Sequence, residues 1–288
     1  MPVSRREFLK RSSLLAALRV PTSVDANSSL WRLRESVGRT FRLTDIHSDP
    51  NPTSAVVGQF APDSVIPITA ALEGWYQVPP GYVPRAAVQP IQAYNLSEAD
   101  SGFGFWAELA APVSVIREWC SGLAPIVARP GYGAMLYGID RLQDDRSQIW
   151  YGLASGPDGR LIGWGMASHY RRWRPAVSSE GPVTVRLAAR TLTAYRADRP
   201  IGSTPVYAPS LLPAVTTIRA LAPGGTLEDH VGVPWLMTSG TGIAIHGVYW
   251  HNQFGAISDG TAIELPTAAG RWLYEQLGPG ENPLVITR

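Results

Sequence analysis

The stretch Ile243-Ala244-Ile245-His246-Gly247-Val248-Tyr249-Trp250-His251-Asn252-Gln253-Phe254-Gly255 decides how this chain is read. Its β-branched start reads as a strand, which places His246 and His251 near strand ends. Upstream, Gly232-Val233-Pro234-Trp235 precedes it, and Val183-Thr184-Val185-Arg186-Leu187 alternates like a half-buried strand. Ala189-Arg190-Thr191-Leu192-Thr193-Ala194-Tyr195-Arg196 reads as a strand pair, and Asp198-Arg199-Pro200 as a turn. Downstream, Ala268-Ala269-Gly270-Arg271-Trp272-Leu273-Tyr274 suits a short helix. Gly278-Pro279-Gly280 and a closing strand, Pro283-Leu284-Val285-Ile286-Thr287, follow it. Residues 182–288 therefore form one mostly-β block.

Composition narrows what surrounds that block. The chain has 288 residues, 45% hydrophobic and 17% charged, which suits a folded chain rather than a disordered one. A formal net charge of +2 is too small for a nucleic-acid binder held by a basic field, so no nucleic-acid partner is expected. The single cysteine, Cys120, excludes a disulfide framework and a cysteine-based metal cluster, and no metal or cofactor is expected. With 28 glycines and 25 prolines, many short strands and turns are expected. No apolar stretch reaches the ~18 residues that span a bilayer, so no transmembrane span is expected in the mature chain.

Two smaller blocks precede the C-terminal one. In residues 36–92 short strands are expected at 41–46, 55–60, 64–68, 75–78 and 82–83, with turns at Ser48-Asp49-Pro50-Asn51-Pro52 and Pro79-Pro80-Gly81. Asp49-Pro50 before Val56-Val57-Gly58, then Gly74-Trp75-Tyr76-Gln77-Val78 and Gly81-Tyr82-Val83, resemble a bacterial SH3-like domain. Residues 110–175 repeat this pattern: strands are expected at 112–119 and 133–139. Ile149-Trp150-Tyr151-Gly152-Leu153 and Ile162-Gly163-Trp164 flank the hairpin turn Gly156-Pro157-Asp158-Gly159. This is read as a second SH3-like barrel, joined to the first by a connector at 97–104 around Asp100-Ser101-Gly102. Cys120, beside Trp119, is expected to be a small core hydrophobe. At the start, Ser4-Arg5-Arg6-Glu7-Phe8-Leu9-Lys10 resembles a twin-arginine export signal. Residues 1–35 are accordingly assigned to signal and linker, and an extracytoplasmic, cell-wall location is expected.

The C-terminal block resembles the catalytic domain of L,D-transpeptidases of the YkuD type. The run 246–255 matches that family's His-Gly-x-Tyr-Trp-His-Asn-x-Phe-Gly stretch, and Arg271-Trp272-Leu273-Tyr274 and the closing strand fall at the family's distances. The resemblance implies a β-sandwich and peptidoglycan stem peptides as partner. It also implies a cysteine nucleophile in a Ser-His-Gly-Cys motif whose histidine activates the thiol. Here the sequence departs. Counted without gaps from Gly255 to Leu265, the motif positions fall on Asp259-Gly260-Thr261-Ala262, so Gly260 stands for the histidine and Ala262 for the cysteine. A one-residue gap aligns Ser258-Asp259-Gly260-Thr261 instead and still lacks both. Glu264 replaces the asparagine or arginine that follows the motif. A substrate-cleft turn of the family is reduced to Ala208-Pro209-Ser210-Leu211-Leu212-Pro213-Ala214-Val215, with Val215 at a glycine position.

The site the resemblance implies thus comprises His246, Gly260, Thr261 and Ala262, with Gly247, Tyr249, Trp250, His251, Asp259 and Glu264 on its substrate-binding walls. Three functions fit the residues. The first is a degenerate member that binds stem peptides without joining them. The second is an active transpeptidase or carboxypeptidase using the hydroxyl of Thr261 or Ser258 with His246. The third is a wall protein whose barrels do the binding. A hydroxyl is harder to deprotonate than a thiol and needs a placed base and oxyanion donors, so the first is the leading reading.

Overall fold

The computed structural model describes residues 37–91, 102–175, 181–212, 214–227, 229–277 and 282–286. The export-like segment at 4–10, the expected connector at 97–101, Pro213 and Gly278-Pro279-Gly280 lie outside these residues. The architecture is mostly β, as expected from the turn-rich composition, with one ten-residue α-helix, α1 (Thr267–Gln276), among the described residues.

Residues 37–91 form two small sheets. Five strands run in the order Val56–Phe60, Thr44–His47, Gly81–Pro84, Trp75–Val78, Ala70–Leu72, and three in the order Val65–Pro67, Val37–Thr40, Val88–Ile91. Their inner faces meet over Ile46, Ile66, Ile68, Tyr76, Val78 and Val83. The single strand expected at 41–46 is two, because the chain turns a corner at 41–43 and passes from one sheet to the other. The Phe41 N–H goes to the Ala87 carbonyl at that corner.

Residues 105–172 form a seven-stranded sheet. The predicted hairpin is there, joining Ile149–Ala154 to Gly163–Met166. The strand expected at 112–119 shrinks to Ile116–Arg117 with one bridge from Val113 to Gly131. Pro112 lacks an N–H to donate, and residues 118–125 are taken up by a turn closed by Glu118 N–H on Pro125 O. Cys120 lies in that turn, half-buried and not in the core; burial first, then Asp140, pushes its thiol up to about 11. It is not a ready thiolate.

The C-terminal block is an eight-stranded mixed sheet in the order Arg199–Pro205, Thr191–Arg196, Thr184–Ala188, Asn282–Ile286, Val215–Leu227, His230–Ser239, Ala244–Val248, Ile263–Pro266. A second pair, Ala208–Pro209 with Ile257–Ser258, and α1 close its core around Val185, Leu192, Met237, Ile245, Leu265 and Leu273. The strand pair expected at 189–196 is one strand preceded by a turn, since Ala189 and Arg190 both take positive φ (44° and 61°) to reverse the chain. Val215 is not in a turn either. It opens a strand, paired with Val285, and its side chain is exposed.

Gly247 and Gly270 let α1 lie directly on the strand Ala244–Val248. A Cβ on Gly270 would stand 3.1 Å from the Gly247 Cα, and one on Gly247 would stand 3.2 Å from Trp235 Cδ1. Thr267 locks the start of the helix by donating to the Val248 carbonyl at 2.7 Å. Trp235 beneath them is fully buried and sits at φ 59° inside its strand, a conformation rare for an aromatic residue.

The three units pack on one another, and the run 246–254 is where they meet. Tyr249 leaves the C-terminal sheet and joins the core of residues 105–170. Asn252 reaches the first unit, donating to Arg85 O at 3.1 Å and Val88 O at 3.0 Å. Glu108, buried in the middle unit, receives Arg171 at 2.9 Å and Arg271 of α1 at 3.1 Å.

Candidate functional site

Strand alternation builds the site. Ala244–Val248 runs parallel to Ile263–Pro266 with Ile245 opposite Ile263 and His246 opposite Glu264. Ile245, Ile263 and Leu265 point into the core, so His246 and Glu264 face the other way together. They open onto a cleft of about 370 Å³ whose rim is the loop 258–262.

Of the residues read from sequence, His246, Trp250, His251, Asp259, Gly260, Thr261, Ala262, Ser258 and Glu264 line this cleft. Gly247 and Tyr249 do not. Gly247 faces α1 and Trp235, and the Tyr249 ring joins the neighbouring unit's core while its hydroxyl donates to the Val231 carbonyl of the strand His230–Ser239 at 2.6 Å. Val215, expected to alter the cleft wall, lies elsewhere on the sheet. Tyr207 and His230 are among the cleft residues not foreseen. Tyr207 packs edge-on to His251, with centroids 4.9 Å apart, and His230 stacks on Trp250 at 3.8 Å. The chain holds five histidines and three of them gather here, so histidine scarcity was the signal available for His230.

Each imidazole has a distinct state. His251 accepts the Gln253 N–H at Nδ1 (3.2 Å) and therefore carries its proton at Nε2, which donates to Glu264 Oε2 at 2.7 Å. Both nitrogens are occupied, and the ring orients the carboxylate rather than serving as a base. His246 is buried, and its Nδ1 donates to the Gly247 carbonyl at 3.1 Å. That leaves the Nε2 lone pair without a protein partner among the described residues. Burial depresses its pKa first, and nearby His251 and His230 act in the same direction against Glu264 and the Gly247 carbonyl. His246 is thus a neutral imidazole with one open acceptor.

The cleft also holds the hydroxyls of Ser258 and Thr261. Ala262 offers a methyl, and Gly260 donates its N–H to Ser258 Oγ at 2.9 Å, which pins the loop. Neither Ser258 nor Thr261 shares a hydrogen bond with an imidazole among the described residues. No group of three or more His, Cys, Asp or Glu side chains suited to a metal ion occurs among those residues either. The arrangement can bind amides and cations against Glu264 and Asp259, beside the Trp250–His230 stack.

No known family profile matches the chain, and no curated protein does. Among solved structures it is similar to an L,D-transpeptidase from Xylanimonas cellulosilytica at 13% identity and TM-score 0.33, over 40% of this chain and 65% of that one. It is similar to one from Stackebrandtia nassauensis at 18% identity and TM-score 0.33, over 39% and 58%. One from Mycobacterium smegmatis matches at 14% identity and TM-score 0.31, over 63% and 99%. The chain spans less than two thirds of the length of the first two. Likeness at these scores carries no chemistry across, so the functional reading rests on this chain's own residues. Among the described residues no helix is long and apolar enough to cross a membrane.

Proposed function

We propose that this chain is an exported cell-wall protein with an L,D-transpeptidase-like domain that binds peptidoglycan stem peptides without joining them. The carrying observation is a neutral His246 with an open Nε2 in a cleft lined at the two motif positions by Gly260 and Ala262. Acyl transfer needs a nucleophile at the substrate carbonyl as well as a base, and neither a methyl nor a hydrogen atom attacks a carbonyl. Binding needs neither. Trp250 and His230 offer a flat apolar wall, and Glu264, oriented by His251, offers an acceptor for a stem-peptide amide or amine. The motif-like run and the twin-arginine segment support the family and the location, and the two N-terminal units belong to this reading as SH3-like barrels. The alternative, a transpeptidase or carboxypeptidase working through Thr261 or Ser258 with His246, lacks the nucleophile–base hydrogen bond that such a pair uses.

Retention on purified sacculi tests the binding. The full chain is expected to be retained, and Trp250→Ala is expected to weaken retention by about tenfold, in line with loss of a buried aromatic anchor. Retention unchanged in Trp250→Ala and in Glu264→Gln would remove the cleft from the binding and leave it to the N-terminal units.

A further inference from the structure

A separate hollow of about 210 Å³ opens in the C-terminal block. It shares no lining residue with the cleft, although the two meet along one short strand: Ile257 lines the hollow and Ser258 the cleft. Strand alternation sends these neighbours to opposite sides. We propose that the hollow binds a short branched aliphatic carboxylate, its tail among the apolar side chains and its carboxylate on Arg190.

The lining sets the class of ligand. Leu187, Ala208, Leu212, Ile257 and Ile286 make it mostly apolar, and Leu187 and Ala208 belong to the buried core. Pairing explains how they converge. Leu187 stands opposite Ile286 in one parallel pair, and Ala208 opposite Ile257 in another. Against ~30 Å³ for a water in the liquid, the hollow has room for roughly seven or eight non-hydrogen atoms. Two polar residues, Arg190 and Ser210, complete the choice, and both are exposed. Arg190 is the one charged residue of the lining, and among the described residues its side chain has no ion pair and no hydrogen bond. Its backbone is fixed, because the Arg190 carbonyl accepts the Val206 N–H at 2.9 Å. Ala189 and Arg190 are both left-handed there, at φ 44° and 61°, a costly conformation that persists where the surroundings hold it. A guanidinium without a partner at an apolar hollow matches a carboxylate on an apolar tail. The Ser210 hydroxyl supplies a further donor.

The inference does not depend on what the cleft binds. Titration of the isotope-labelled full chain with 4-methylpentanoate, followed by amide chemical shifts, tests it. Saturable binding with a Kd of about 1 mM is expected, in keeping with so small a ligand, with shifts at residues 187–190, 208–212 and 257. The neutral 4-methylpentanamide keeps the tail and loses the charge, and acetate keeps the charge and loses the tail. Each is expected to bind about fivefold more weakly or worse. Arg190→Gln is expected to weaken the acid about fivefold and to leave the amide unchanged. Leu212→Asp, which sets a like charge in the lining, is expected to abolish binding of the acid, whereas His246→Ala is expected to leave it unchanged. No saturation, equal affinity for acid and amide, or indifference to Arg190→Gln would overturn the proposal. Shifts centred on residues 258–264 and lost in His246→Ala would place the acid in the cleft and overturn it equally.

Discussion

Two sides of the same short run behave differently. Towards the neighbouring units, the Tyr249 ring enters the middle unit's core and the Asn252 amide meets two carbonyls of the first unit. Towards the cleft, His246 keeps an open nitrogen, and Gly260 and Ala262 share that lining. The junction side is paired, and the cleft side keeps one acceptor open. The run 246–254 therefore serves as a joint between units as well as a wall of the cleft.

The sharpest way to break that contrast is to cut each side in turn. Tyr249→Ala removes a buried ring from the middle unit's core and is expected to cost about 3–5 kcal/mol in urea unfolding. Thr261→Ala on the cleft rim is expected to stay within about 0.5 kcal/mol. Equal costs would erase the distinction between joint and rim. Asn252→Ala removes the side-chain hydrogen bonds to two carbonyls of the first unit and is expected to cost about 1–3 kcal/mol. Amide exchange should then quicken first in residues 37–91; uniform quickening would mean that Asn252 does not hold that unit.

A smaller effect concerns pH. Burial lowers the folded-state pKa of His246 and of His169 below the free-imidazole value of 6.5. As pH falls through 6.5 the unfolded chain takes up these protons first, so stability is full above that value and is lost towards the lower folded values. The loss is at most about 1.4 kcal/mol per pH unit for each ring. His246→Gln is expected to flatten the decline between pH 6.5 and 5 relative to the unsubstituted chain. An unchanged slope would mean that His246 titrates as freely folded as unfolded.

Much of the fold could be read from local signals. Gly156-Pro157-Asp158-Gly159 marked a hairpin, and the helix expected at 268–274 lies within Thr267–Gln276, because turn chemistry and periodicity are local. Strand breaks set by long-range pairing were not legible. The corner at 41–43 depends on Ala87, and the shortened strand at 116–117 depends on partners at 126 and 164. Within the site, alternation gave His246 and Glu264 their common face. After Val248 the strand ends and parity no longer applies, so alternation did not separate Tyr249, in the middle unit's core, from Trp250, which packs against that core and also lines the cleft. His230 comes to the cleft at the end of the strand it opens, one partner away from Ala244–Val248, and nothing near it in sequence announced that.

Intact-mass analysis after incubation with a carbapenem tests the central claim most directly, since a strained β-lactam acylates an activated nucleophile and leaves a mass adduct. The account predicts an unmodified chain, with no adduct on residues 258–262. A stoichiometric adduct mapped to Thr261 or Ser258 would contradict it, and would mean that His246 activates a hydroxyl after all.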